Sequence, residues 1–176
     1  MLIVFAGLPG VGKTTVARAL ARKLSAAYIR IDTVEQALLA SLPPLAAKGV
    51  KGEKRDVGAA GYVASYAIAA DNLRLGLAVV ADCVSPVAAT RQSWRNVALE
   101  TGVKLLEIEV VCSDLVQHKL RAESRVADIP GDELPTWESI LNRDYEPWES
   151  ERLVIDTAQV SAEEAVAKIM RILAAN

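Results

Sequence analysis

The chain has 176 residues, of which 52% are hydrophobic and 24% charged, and a formal charge of −2. That composition argues for a folded core rather than a disordered chain, and the near-neutral charge argues against a dominant field for nucleic acid or a membrane surface. Two cysteines make no disulfide framework, and the N-terminus has neither the basic region nor the cleavage site of a secretory signal, so the expectation is a cytoplasmic protein with no membrane partner.

The first element is the apolar run Leu2-Ile3-Val4-Phe5-Ala6, which reads as a buried strand. It leads directly into Gly7-Leu8-Pro9-Gly10-Val11-Gly12-Lys13-Thr14, an instance of G-x-x-x-x-G-K-[ST]. The glycines let backbone N–H groups approach phosphate oxygens, Lys13 adds a cation near the β- and γ-phosphates, and Thr14, followed by Thr15, offers a hydroxyl to Mg²⁺. The loop opens a helix whose positive end adds to the anion site. In that helix Val16, Leu20 and Leu24 recur on one face beside Ala17 and Ala21, while Arg18, Arg22 and Lys23 point elsewhere.

Further strands are predicted at 27–32, ending in Asp32, at 77–82, ending in Asp82, at 105–112, ending in Cys112, and at 153–156, ending in Asp156. Helices are predicted between them at about 34–42, 59–75, 86–101, 115–125 and 137–145. A last helix opens with the capping box Ser161/Glu164 and carries Ala165, Val166, Ile169, Met170 and Leu173 on one face. Residues 41–58 and 127–135, rich in Pro and Gly, read as long loops. Cys83 and Cys112 read as buried thiols, and the lone His118, among charged residues, as an exposed helix residue.

Alternation of this kind implies an α/β fold, a parallel sheet covered by helices on both faces, with ligands outside the carboxyl ends of the strands. The site is therefore expected to collect the phosphate loop, Asp32, Asp82 and its successors, the region after Cys112 and the turn Asp156-Thr157.

Taken together, the phosphate loop, the strand ending in Asp32, the run Val79-Val80-Ala81-Asp82-Cys83-Val84-Ser85-Pro86 and the later arginines resemble the small-molecule kinase branch of P-loop proteins, such as adenylylsulfate kinase, gluconate kinase and chloramphenicol phosphotransferase. The resemblance implies a P-loop three-layer sandwich with strand order 2-3-1-4-5, one nucleotide-binding domain over residues 1–176, and a lid at about 113–136 closing over ATP. In that order the strands carrying Cys83 and Cys112 flank the first, about 10 Å apart, too far for a bridge.

It further implies that Asp82, with Thr14, holds Mg²⁺, that Asp32 faces the acceptor and takes its proton, and that Arg121 and Arg125, four apart on one helix, neutralise the transferring phosphoryl group. Asp156 and Thr157 stand where relatives cradle adenine with backbone groups. Ser85-Pro86 followed by Arg91 and Arg95 resembles the stretch that binds an anionic acceptor in adenylylsulfate kinase, with Tyr62 and Tyr66 one helical turn apart nearby. The second strand lacks the further acidic residue, two positions after the first, that shikimate kinase and adenylylsulfate kinase use, so neither of their substrates is assigned.

The resulting expectation is an ATP- and Mg²⁺-dependent phosphotransferase acting on a hydroxyl of a small molecule, with an anionic acceptor suggested, as a monomer or homodimer. Two alternatives share the loop: an NTP hydrolase or molecular switch, and a nucleotide or nucleic-acid 5′-kinase, the last disfavoured by the absence of a basic stripe.

Overall fold

The computed structural model describes residues 1–41 and 57–175. Most of the loop expected at 41–58 lies outside the described residues. The strands are β1 (Leu2–Ala6), β2 (Ala27–Arg30), β3 (Val79–Asp82), β4 (Leu105–Val111) and β5 (Leu153–Asp156). The helices are α1 (Lys13–Leu24), α2 (Ile31–Ser41), α3 (Ala60–Arg74), α4 (Ala88–Thr101), α5 (Leu115–Ser124), α6 (Trp137–Leu141) and α7 (Ala162–Ala175).

All strand pairs are parallel, in the order β2-β3-β1-β4-β5. A parallel sheet needs both faces covered, and β1, buried along its whole length, supplies both. Ile3 and Phe5 pack with Val16, Ala17 and Leu20 of α1 and with Ala165 and Ile169 of α7. Leu2 and Val4 point the other way, to Ala69 and Leu73 of α3 and Trp94 and Val97 of α4. Two buried carboxylates interrupt β4 without cost to the pattern: Glu107 is paired with Arg95 at 2.9 Å and Glu109 with Arg152 at 2.8 Å.

The capping box forms as expected, the Ser161 amide donating to Glu164 at 2.8 Å and the Glu164 amide to Ser161 Oγ at 3.2 Å. Other boundaries differ. The second strand stops at Arg30, and Asp32, expected as its last residue, sits in the first turn of α2, where a carboxylate is favoured by the helix N-terminus. The helix expected to reach Arg125 ends at Ser124, leaving Arg125 extended at φ −65°, ψ 134°. The helix expected to reach Tyr145 ends at Leu141.

His118 corrects an expectation as well. It is 5% exposed, its Nε2 lies 2.8 Å from the Pro9 carbonyl oxygen, and its ring meets Trp137 edge-on at 4.9 Å. The charged neighbours in sequence occupy the outer face of α5, while His118 packs the inner face onto the phosphate loop. Cys83 and Cys112 are both buried and unbridged, as expected.

Candidate active site

A cleft of about 910 Å³ opens at the carboxyl edge of the sheet. Its floor is the loop between β1 and α1. Gly7 has φ +131°, and a Cβ there would collide with the Val110 carbonyl, so this position requires glycine. Gly10 and Gly12 also take positive φ, and α1 starts at Lys13 without a side-chain cap, which leaves its first N–H groups for a ligand.

Lys13 is buried, and its Nζ donates to the Leu8 carbonyl at 2.9 Å. Burial holds its pKa below the ordinary lysine value, an effect opposed by the nearby Asp82 and Asp32 charges and reinforced by Arg125. These four groups therefore share one electrostatic neighbourhood.

The strand ends supply the next layer. Arg30, Asp82 and Phe5 stand in register across β2, β3 and β1. Asp82 is buried and accepts a 2.7 Å hydrogen bond from the Tyr28 hydroxyl at Oδ2. Burial and the Asp82 charge both push the Tyr28 phenol up, so it stays a donor. Thr14 and Asp82 both line the cleft. One carboxylate and one hydroxyl beside a phosphate cradle suit Mg²⁺, which keeps several waters and takes few protein ligands. Among the described residues no group of three or more His, Cys, Asp or Glu forms an all-protein metal cage instead.

The far wall carries Asp32, Glu35 and Gln36 of α2 with Tyr62 of α3, and the roof carries Arg121, Arg125, Asp128, Asp132 and Glu133. Arg121 donates to Thr157 Oγ1 at 2.9 Å, and that hydroxyl donates to the Val11 carbonyl at 2.8 Å, so the arginine is tied to the phosphate loop through one threonine. The Tyr62 hydroxyl accepts the Ser85 amide at 3.0 Å and helps hold a turn in which Ser85 itself has φ +44°.

Thus Lys13, Thr14, Thr15, Asp32, Tyr62, Asp82, Arg121, Arg125 and Thr157 are brought to one cleft. Of the loop, Pro9, Gly10 and Gly12 line the cleft as well, while Gly7, Leu8 and Val11 lie outside its lining, and Asp156 and Arg91 are placed differently. Asp156 spends its Oδ1 on the Ser113 and Ala158 amides, each at 3.0 Å, and serves as a turn cap outside the lining. Arg91, expected to meet an anionic acceptor, is 3% exposed and donates instead to the carbonyls of Ser85, Pro86, Glu146 and Pro147 at 2.7 to 3.1 Å. It stacks on Trp148 at 4.3 Å and Tyr145 at 5.1 Å. With its donors taken by carbonyls, Arg91 clips segment 145–148 to the turn after β3.

Sequence reasoning missed Arg18, Tyr28, Arg30, Glu35 and Asp128. Tyr28 and Arg30 carried a usable signal, since a hydroxyl and a cation alternate along a strand that must be buried. Asp128 carried none, because its partners Arg18, at 2.6 Å, and Arg30, at 2.9 Å, are distant in sequence. Those two guanidinium groups, Arg30's hydrogen bonds foremost, hold the Asp128 carboxyl down to about 2.

The sheet order, the phosphate loop and the flanking helices define the fold of P-loop kinases. Residues 2–137 match the AAA domain family, and the chain belongs to that family. Among solved structures, the APS (adenylylsulfate) kinase of Mycobacterium tuberculosis in complex with AMPPNP and APS is similar at a TM-score of 0.68 and 21% identity, covering 98% of this chain and 96% of that one. A gluconokinase from Sinorhizobium meliloti 1021 is similar at 0.62 and 21%, covering 97% and 91%. Kti12 of Chaetomium thermophilum in complex with ADP-AlF3 is similar at 0.66 and 21%, covering 97% and 98%. At these identities the likeness is one of fold. No curated protein matches the sequence.

Proposed function

We propose that the protein is an ATP-dependent phosphotransferase that moves the γ-phosphate to a hydroxyl of a small molecule. The observation that carries this reading is the single cleft in which the phosphate loop, Asp82, Asp32 and the arginines Arg121 and Arg125 converge. The phosphates of ATP rest on the loop amides and on Lys13, and the fold neighbours solved with AMPPNP or ADP-AlF3 support a nucleotide there. Thr14 and Asp82 are the groups that would hold Mg²⁺, the latter through water. When bound, the ion neutralises charge on the β- and γ-phosphate oxygens.

Asp32 orients the acceptor hydroxyl. As the acceptor oxygen bonds to the γ-phosphorus, the bond to the β,γ-bridging oxygen breaks, ADP leaves with that oxygen, and the hydroxyl proton passes to the Asp32 carboxylate. Arg121 and Arg125 face the developing charge from the roof, and segment 113–136 acts as a lid that excludes water. With Arg91 turned to backbone carbonyls, Glu35, Gln36 and Tyr62 are the side chains that would hydrogen-bond a hydroxylated acceptor, and Arg143 also lines the cleft.

The test is ADP release from Mg·ATP with and without pooled metabolites, followed by identification of the phosphorylated product. Acceptor-dependent release that Lys13→Ala lowers by at least a hundredfold, with the circular dichroism spectrum unchanged, is the expected result. Release at one rate regardless of metabolite would favour plain NTP hydrolysis and end the kinase reading.

A further inference from the structure

Arg30 closes β2 with a side chain only 1% exposed. Its Nε donates to Asp32 Oδ2 at 3.3 Å, and its Nη1 donates to both carboxylate oxygens of Asp128 at 2.9 Å. Its Nη2 is buried and has no hydrogen-bond partner among the described residues. One inaccessible guanidinium thus holds a carboxylate of the acceptor wall and a carboxylate of the roof. Asp128 also receives Arg18, on the helix that the phosphate loop opens.

We propose that Arg30 is a positioning residue, which aims Asp32 at the acceptor and, through Asp128, makes that aim depend on segment 125–136 lying over the cleft. The proposal rests on the reading of Asp32 as the acceptor-side base. A guanidinium is a rigid planar fork, so anchoring Nη1 on Asp128 fixes the direction in which Nε–H points. Pinning Oδ2 of Asp32 leaves Oδ1 for the acceptor hydroxyl.

When Asp128 lifts away, Nη1 loses both of its hydrogen bonds and neither Nη atom of a buried cation is then paired, which is costly. The guanidinium then turns to share Asp32 between Nε and Nη, and the carboxylate turns with it. The base is therefore correctly aimed only when the roof is down and water is excluded, an arrangement that favours transfer over hydrolysis. A purely structural clip would hold the segment equally well but would leave the chemistry of the closed cleft unchanged.

The experiment uses full-length protein carrying Asp128→Asn, Asp128→Glu or Arg30→Lys. Amide exchange over residues 126–136 is read first, with neither nucleotide nor acceptor present. Asp128→Asn and Arg30→Lys are expected to speed exchange there tenfold or more while protection in β1 and α1 persists, with Asp128→Glu partly restoring it. With the acceptor in hand, the same two variants should lower kcat for transfer at least tenfold, change the KM for ATP less than twofold, and raise the share of ADP released without transfer. Asp128 is a surface side chain, so its asparagine variant carries the test should Arg30→Lys fail to fold.

Unchanged exchange in folded Asp128→Asn overturns the bridge. Faster exchange with unaltered transfer kcat reduces Arg30 to a clip and overturns its positioning role. Wild-type protein with no acceptor-dependent transfer would overturn the functional reading instead, and the exchange experiment would still decide whether Arg30 couples the two elements.

Discussion

Two aspartates line the same cleft and carry different roles in the proposed function, and their surroundings differ. Asp82 is buried beside Lys13 and fixed by Tyr28, whereas Asp32 is partly exposed and fixed by Arg30. Asp82→Asn is expected to weaken the Mg²⁺ dependence and catalysis together, and Asp32→Asn to spare Mg·ATP affinity while removing acceptor phosphorylation. Titration of Mg·ATP against both variants checks this, and equal loss of nucleotide binding would show the assignment to be wrong. Asp128 gives a prediction about pH. Its carboxyl, held at about 2 against an ordinary 3.8, is depressed on folding, so the stability it adds is present above about 3.8 and disappears as pH falls towards 2. Because 39% of the side chain is exposed, screening reduces that contribution to about 1 kcal/mol. Denaturant unfolding of wild type and Asp128→Asn should differ by about that amount at pH 5 and coincide near pH 2.

At the level of elements, the four carbonyls around Arg91 explain how an irregular stretch, 142–152, is held without regular structure of its own. Replacing Arg91 by Met should destabilise the protein by about 3 kcal/mol, since four carbonyls lose a charged donor, yet leave the KM for the acceptor unchanged. A changed acceptor KM at unchanged stability would restore the anion-binding role expected from sequence. The structure places Arg91 differently from that expectation for a physical reason: the carbonyls that claim it at Glu146 and Pro147 lie on a distant segment, and a local pattern does not reveal burial created by tertiary partners. His118 was misread in the same way, its burial coming from Pro9 and Trp137. The strands and the phosphate loop were legible because apolar runs and glycine spacing are local properties. The start of α2 was not, because Ile31 serves both the apolar run of β2 and the first turn of the helix, and only the chain's departure from the sheet separates them.

For the molecule as a whole, a ligand that binds only the folded state stabilises all of it. Mg·ATP at a hundred times its Kd should add about 2.7 kcal/mol, which raises the Tm of a protein this size by roughly 5–10 °C. The shift should vanish in Lys13→Ala, and a melting curve indifferent to nucleotide in the wild type would contradict the proposed site. The strand order has a further consequence, for synthesis. β1 is the first strand made, yet both of its neighbours, β3 and β4, come later, with β4 about a hundred residues downstream. At ribosomal speeds of 5–20 residues per second, the most apolar strand of the sheet waits roughly 5–20 s before its pairing is complete. During that interval Leu2 to Ala6 form an unpaired apolar segment, so the nascent chain depends on a holding chaperone or on early docking of α1, and slowing translation before residue 105 should lower the soluble yield.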